Sequence, residues 1–137
     1  MHFSKTTEYA IRVLSYLHRY SSKSHSVSFL HKELELPYKY LTKLMTKLVK
    51  KDLVNASKGC NGGFSLAIDA EKIYINDILE SVGESLESNR CILGFEMCDA
   101  SNPCSLHSQC LEPRMIIENM LHTTSLASLM SNKETKI

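Results

Sequence analysis

What this chain of 137 residues lacks narrows its function before anything it contains. No apolar run approaches the roughly twenty residues that span a bilayer. The start, MHFSKTTEYAIRVL, has neither the unbroken apolar stretch nor the small-residue cleavage site of a signal peptide. A cytoplasmic protein without a membrane partner is expected. There is no glycine-rich phosphate loop, no HExxH and no carboxylate pair beside a general base, so no enzyme is expected. Internal repeats and low-complexity stretches are absent, and the chain, 43% hydrophobic, can bury one core with at most an appended arm. Nor is there an even set of cysteines for a disulfide framework. Five thiols in a reducing compartment leave a metal site, a redox-reactive thiol or plain buried cysteines.

Charge looks equally sparse, at a net +1, until it is divided along the chain. Residues 1–58 carry eleven Lys and Arg against four Asp and Glu, a balance of +7; residues 59–137 carry five against eleven, a balance of −6. A solvated lysine surface would explain any one of these residues. The asymmetry as a whole points to a polyanion meeting the N-terminal half.

The pattern of that half says how. TTEYAIRVLSYLHRY places Ala10, Val13, Leu14 and Leu17 at helical spacing, and the polar run Ser21 to Ser26 ends it. A short second helix is expected from about Ser28 as N-cap, then a tight turn with Pro37 near the first position of a third helix. In YKYLTKLMTKLVKK, Leu41, Leu44, Met45 and Leu48 recur at i, i+3, i+4 and i+7, while Lys39, Lys43 and Lys47 form a basic ridge on the other side. The period then changes: DLVNASKGCNGGFSLAI reads as two short strands, around 53–57 and 64–68, joined by a turn holding Gly59, Gly62 and Gly63.

Helix, helix, turn, basic helix and glycine-tipped hairpin is the order of a winged helix-turn-helix. The fold class expected is mainly α with a small β-wing, followed by a C-terminal dimerisation helix. Winged helices also serve as protein-interaction modules. The charge division favours double-stranded DNA, with the third helix in a major groove wide enough to admit it.

The remaining cysteines crowd into CILGFEMCDASNPCSLHSQC. Cys91, Cys98 and Cys104 have the spacing C-x6-C-x5-C, with His107 three residues on and Cys110 three beyond. Thiolates so placed can surround an iron–sulfur cluster or one tetrahedral Zn²⁺, and the lack of any CxxC pair favours the cluster. Asn102 and Pro103 suggest a helix start that would put Cys104 in a first turn, where the helix dipole favours a thiolate, with His107 on nearly the same face. Otherwise His107 is a surface histidine and Cys110 a spare thiol. Cys60 belongs to the wing and is expected to be no ligand. Asn76 is a possible cap for a core helix carrying Ile78, Leu79 and Val82. Ile116, Ile117, Met120 and Leu121 supply more apolar surface than a lone appended helix can bury, so a homodimer is expected. The tail from Ser131 is polar and expected to fray.

TTEYAIRVL, LPYKYLTKLMTKLVKKDLV, SKGCNGGFSLA, INDILESVGES, the cysteine loop and TTSLASLM, in that order, make the chain resemble the Rrf-two type winged-helix transcription regulators, the IscR- and NsrR-like iron–sulfur sensors. The resemblance implies a bacterial DNA-binding regulator, whether repressor or activator, in which a homodimer reads a near-palindromic operator. It implies a winged helix-turn-helix region over 1–75, and dimerisation helices over 76–137 with the cluster loop at about 89–110. Tyr38, Lys39, Tyr40, Thr42 and Lys43 are implied to meet bases, Lys58 to enter the minor groove beside the wing, and Lys47 extends that basic ridge. Cys91, Cys98 and Cys104 are implied to bind a cluster (2Fe–2S or 4Fe–4S); for the fourth ligand the resemblance adds Glu8, from helix one of the other subunit, as second candidate behind His107, with Cys110 the remaining alternative. IscR-like proteins carry glutamate where Thr42 stands and usually proline where Cys60 stands, so their operator is not carried over. Their first cysteine gap is commonly five residues, against six here. Zinc or reversible thiol oxidation in place of the cluster, or a metalloenzyme or electron carrier, are the alternatives.

Overall fold

A computed structural model of the chain describes residues 2–85 and 90–131. The expected tail beyond Ser131, and the first residue of the loop range at 89, lie outside the described residues. Helix α1 spans Lys5–Arg19 and is stabilised at both ends: the Ser4 hydroxyl accepts from Thr7 N, Glu8 sits in the first turn, and His18 and Arg19 sit in the last. Its buried face is Thr7, Ala10, Ile11, Val13, Leu14 and Leu17. Helix α2, Val27–Leu34, is capped by Ser26, whose side chain accepts from Phe29 N at 3.1 Å. The cap therefore lies two residues earlier than the expected Ser28. The reason is tertiary: His25 is held extended against the wing, leaving Ser26 at the helix boundary.

Glu35, at φ 53°, ends α2 in the left-handed region and turns the chain into Leu36 and Pro37. Arg12 Nη2 reaches the exposed carbonyl of Leu34 at 2.6 Å and satisfies one of the acceptors that a helix end leaves open. Helix α3, Tyr38–Lys50, follows with Pro37 at its N-cap and buries Leu41, Leu44, Met45 and Leu48 as the periodicity predicts.

Strands β1 (Val54–Ser57) and β2 (Gly63–Leu66) form an antiparallel hairpin in the register Val54↔Leu66 to Ser57↔Gly63. His25 bridges to Phe64 through both backbone bonds, N to O at 3.0 Å and O from N at 2.8 Å, so the wing is anchored to the α1–α2 connection. Gly63 is required there. Its φ is 140°, and a Cβ would lie 2.6 Å from the His25 carbonyl.

A 3₁₀ turn at Ala70–Lys72 leads to α4, Ile75–Val82. Its N-cap is Tyr74 rather than Asn76, because the Asp77 carboxylate accepts from Tyr74 N at 2.8 Å and fixes the start one residue before Ile75. Helix α5, His107–Thr123, contains Pro113, and α6, Leu126–Met130, is capped by Ser125. Backbone bonds from Ile75 N to Thr124 O and from Leu126 N to Ile73 O pin α6 beside the start of α4. The main core draws Ala10, Leu14 and Leu17 from α1, Leu30 from α2, Leu41 to Leu48 from α3, Ile78 and Val82 from α4, and Leu126 from α6. Leu121 of α5 joins Ile75 and Leu79 in a smaller cluster.

Candidate functional site

Two surfaces hold the residues singled out from the sequence. The first is the outward side of α3. Burial of its leucine face turns Tyr38, Lys39, Tyr40, Thr42 and Lys43 to solvent at the start of the helix. Thr42 Oγ1 donates back to the Tyr38 carbonyl at 3.0 Å, holding the side chain against the helix. Tyr40 shares a hydrogen bond with Thr6 Oγ1 of α1, and its ring meets that of Tyr9 edge-on at 5.4 Å, so this tyrosine is fixed from below. Tyr38 packs edge-on against His31 at 5.8 Å. Lys58 and Cys60 are exposed between the wing strands. Lys47 differs from the other two lysines of the ridge: its ammonium donates to the Val82 carbonyl, 3.3 Å away at the end of α4.

The second surface is the cysteine loop. Cys91, Cys98, Cys104 and His107 line one cavity of about 340 Å³, together with Phe95, Met97, Asp99, Asn102 and Pro103. A turn over 91–95, with Gly94 N bonded to Cys91 O and Cys91 N to Phe95 O, points the first thiol inward. Arg114 of α5 donates to the Arg90 carbonyl at 3.0 Å and ties the loop's beginning to the helix that follows it. Asp99 accepts from both Ser101 N and Ser101 Oγ, and these bonds, the hydroxyl's first, hold its carboxyl below the usual range.

The donors meet as two pairs. Cys91 Sγ lies 3.4 Å from Cys104 Sγ, and Cys98 Sγ lies 3.3 Å from His107 Nδ1. The Leu93 backbone N–H lowers the Cys91 thiol, against desolvation, while the hydrogen bond with Cys91 raises Cys104. Cys104 is not in a first helical turn as expected. The chain turns again after Pro103, His107 N bonds to Cys104 O, and α5 begins at His107. Cys104 thereby faces Cys91.

Glu8 does not line this cavity; its carboxylate pairs with Lys5 at 2.8 Å. Cys110 is half-buried on α5, and Cys60 belongs to the other surface. Among the described residues no group of three or more His, Cys, Asp or Glu is arranged to hold a single metal ion. Three thiols and an imidazole around a space many times the ~30 Å³ of a water instead suit a larger group with soft-donor preference. A bound cluster would be held by Cys91, Cys98, Cys104 and His107.

Sequence reasoning missed Glu84. Its carboxylate accepts from Ser4 N at 3.1 Å, from Ser4 Oγ at 2.6 Å and from Thr7 Oγ1. The only signal was an acid directly after Gly83, which identifies a helix end and not its target. Phe95, Met97 and Asp99 as cavity lining also carried no periodic mark.

The chain is similar to known proteins along nearly its whole length. The family described as "Rrf2: Iron-dependent Transcriptional regulator" matches residues 3–132. An HTH-type transcriptional regulator of Aquifex aeolicus is 34% identical over 136 residues, covering 98% of this chain and 94% of that protein. The HTH-type transcriptional regulator IscR of Xenorhabdus nematophila is 33% identical over 95 residues, or 69% of this chain but only 57% of IscR. The structure of CymR, the global cysteine regulator of B. subtilis, superposes with a TM-score of 0.81 at 19% identity, covering 96% of this chain and 97% of CymR, which is a likeness of fold.

Proposed function

Because the chain belongs to the Rrf2 family of transcription regulators, we propose that it acts as a homodimer on a near-palindromic operator and senses redox state, nitric oxide or iron–sulfur supply through a cluster in its cysteine loop. The observation that carries the reading is the convergence of Cys91, Cys98, Cys104 and His107 on one cavity. Cysteine thiolates are the usual ligands of iron–sulfur clusters, and histidine replaces some of them in certain centres. When bound, such a group supplies a charge and a bonding state that change on oxidation, nitrosylation or loss.

The chain's own residues do the rest. Lys39 and Lys43 are exposed cations that would meet phosphate or base edges, Lys58 is an exposed cation that would enter the minor groove beside the wing, and Tyr38, Tyr40 and Thr42 stand at the end of α3 that would enter the major groove. Leu111, Met115, Ile116 and Met120 of α5 are exposed apolar side chains. Pairing α5 with a second copy would bury them and set two recognition helices about 34 Å apart. In that dimer Glu8, on α1 of one subunit, is the second candidate after His107 for completing the other's ligand set. Among the described residues no helix is long and apolar enough to cross a membrane.

Protein purified without air tests the reading. Visible absorbance with iron and sulfide in stoichiometric amounts supports it; colourless protein that takes up zinc instead contradicts it. One contact favours a second reading, thiol oxidation. Cys91 and Cys104 already touch through their sulfurs, and hydrogen peroxide taking two electrons and two protons from the pair would leave a disulfide and two waters.

A further inference from the structure

The end of α4 is tied to two other elements by polar contacts that the hydrophobic core does not require. Gly83, at φ 81°, lets the chain fold back so that Glu84 N bonds to Leu79 O at 2.9 Å. The turn carries the Glu84 carboxylate to the start of α1, where Ser4 N, Ser4 Oγ and Thr7 Oγ1 all donate to it. An anion at a helix N-terminus is favourable electrostatically, and here it also meets the open N–H of the capping residue. One residue before Gly83, the Val82 carbonyl is an open acceptor at the negative end of α4, and the Lys47 ammonium of α3 fills it. Between these two contacts, Thr6 of α1 bonds to Tyr40 at the other end of α3. The DNA-facing helix is thus held near both ends by α1 and α4, and α1 and α4 are held to each other by Glu84.

We propose that Glu84 and Lys47 are positioning residues for DNA recognition, fixing α3 in its reading pose from the end of α4 that leads into the cysteine loop, and that Lys47 is not a phosphate contact. The inference rests on the DNA-binding reading above. Glu84 stands seven positions before Cys91 in the chain.

The full-length protein is tested against a duplex selected from a random-sequence pool. Glu84→Gln puts an amide donor among three donors, and Lys47→Met removes the contact to Val82. Each should weaken binding about tenfold, within the usual range of coupling between sites, while the slope of log affinity against log salt stays that of the parent. Lys47→Arg, which can still donate, should restore affinity. Ser4→Gly keeps a tolerated N-cap but removes the hydroxyl that Glu84 accepts from, and should reproduce a smaller loss if Glu84→Gln fails to fold. Hydrogen exchange, measured without DNA, should quicken in the end turns of α3 in the Glu84 and Lys47 variants. Parental affinity and parental exchange in these variants would overturn the proposal, as would a Lys47→Met salt slope reduced by about one unit, the signature of a lost phosphate contact. If no duplex is enriched, the DNA-binding reading fails, and the exchange of α3 still decides whether the joint positions it.

Discussion

Cys98 Sγ lies 3.3 Å from Nδ1 of His107, a contact made across nine residues of sequence. The Asp99–Ser101 turn and the start of α5 at His107 bring the two together. The imidazole therefore stands on the same cavity as the three loop thiols without being on the same stretch of regular structure.

In the proposed cluster site that placement gives the candidate ligands unequal roles. Alanine at Cys91, Cys98 or Cys104 should abolish the visible absorbance of anaerobically purified protein, since each removes a thiolate from a three-thiolate set. His107→Ala should leave a coloured protein whose spectrum is shifted and which bleaches faster in air, because a nitrogen donor is replaced by water or another side chain. Cys60→Ala, in the wing, should match the parent. Colour retained in all three loop-cysteine variants, or lost with Cys60, would remove this division.

The exposed lysines of α3 make a prediction in salt. Lys39→Ala and Lys43→Ala should each weaken duplex binding and lower the slope of log affinity against log salt by about one unit if a single phosphate contact is lost. Unchanged slopes in both variants would show that this face of α3 does not lie along the DNA backbone.

Glu84 predicts a dependence of stability on acid. Burial raises its carboxyl, but the bonds from Ser4 Oγ, Thr7 Oγ1 and Ser4 N outweigh that and hold it below the ordinary value of 4.5. A carboxyl depressed on folding contributes stability that is fully present above its unfolded pKa and is lost as pH falls through the folded one. The parent should therefore exceed Glu84→Gln in urea midpoint near pH 7, and the gap should shrink as pH falls below the ordinary carboxylate value. A gap that does not change as the pH is lowered into acid would assign the effect to shape rather than charge.

The winged region was legible because periodicity and turn chemistry agree there. Leu41, Leu44, Met45 and Leu48 could share a face only on a helix, and the glycines at 59, 62 and 63 could serve only a tight reversal. Helix starts were less legible. Ser26 and Ser28 are equally good caps in isolation, and the bridge from His25 to Phe64, far away in sequence, selects the first. Asn76 lost to Tyr74 because Asp77 reaches back to the Tyr74 amide.

The same limit shaped the reading of the site. Asn102-Pro103 has the local chemistry of a helix start, but Cys104 is turned towards Cys91 and α5 begins three residues later. The cysteines could be counted and spaced from the sequence; their pairing could not. Lys47 was indistinguishable from Lys39 and Lys43 by spacing, and only the position of the Val82 carbonyl separates them. Polar contacts between distant elements leave no period in the chain.

The central claim is that the state of the cysteine loop sets DNA affinity, and one measurement meets it directly. Anaerobic protein with its cluster content assayed, and the same protein after cluster removal, are titrated against the selected duplex while sedimentation follows the oligomeric state. The account predicts at least a tenfold difference in affinity, corresponding to about 1.4 kcal/mol of differential stabilisation, with both forms dimeric. Equal affinity in matched samples of verified cluster content would contradict it and leave the loop a structural element.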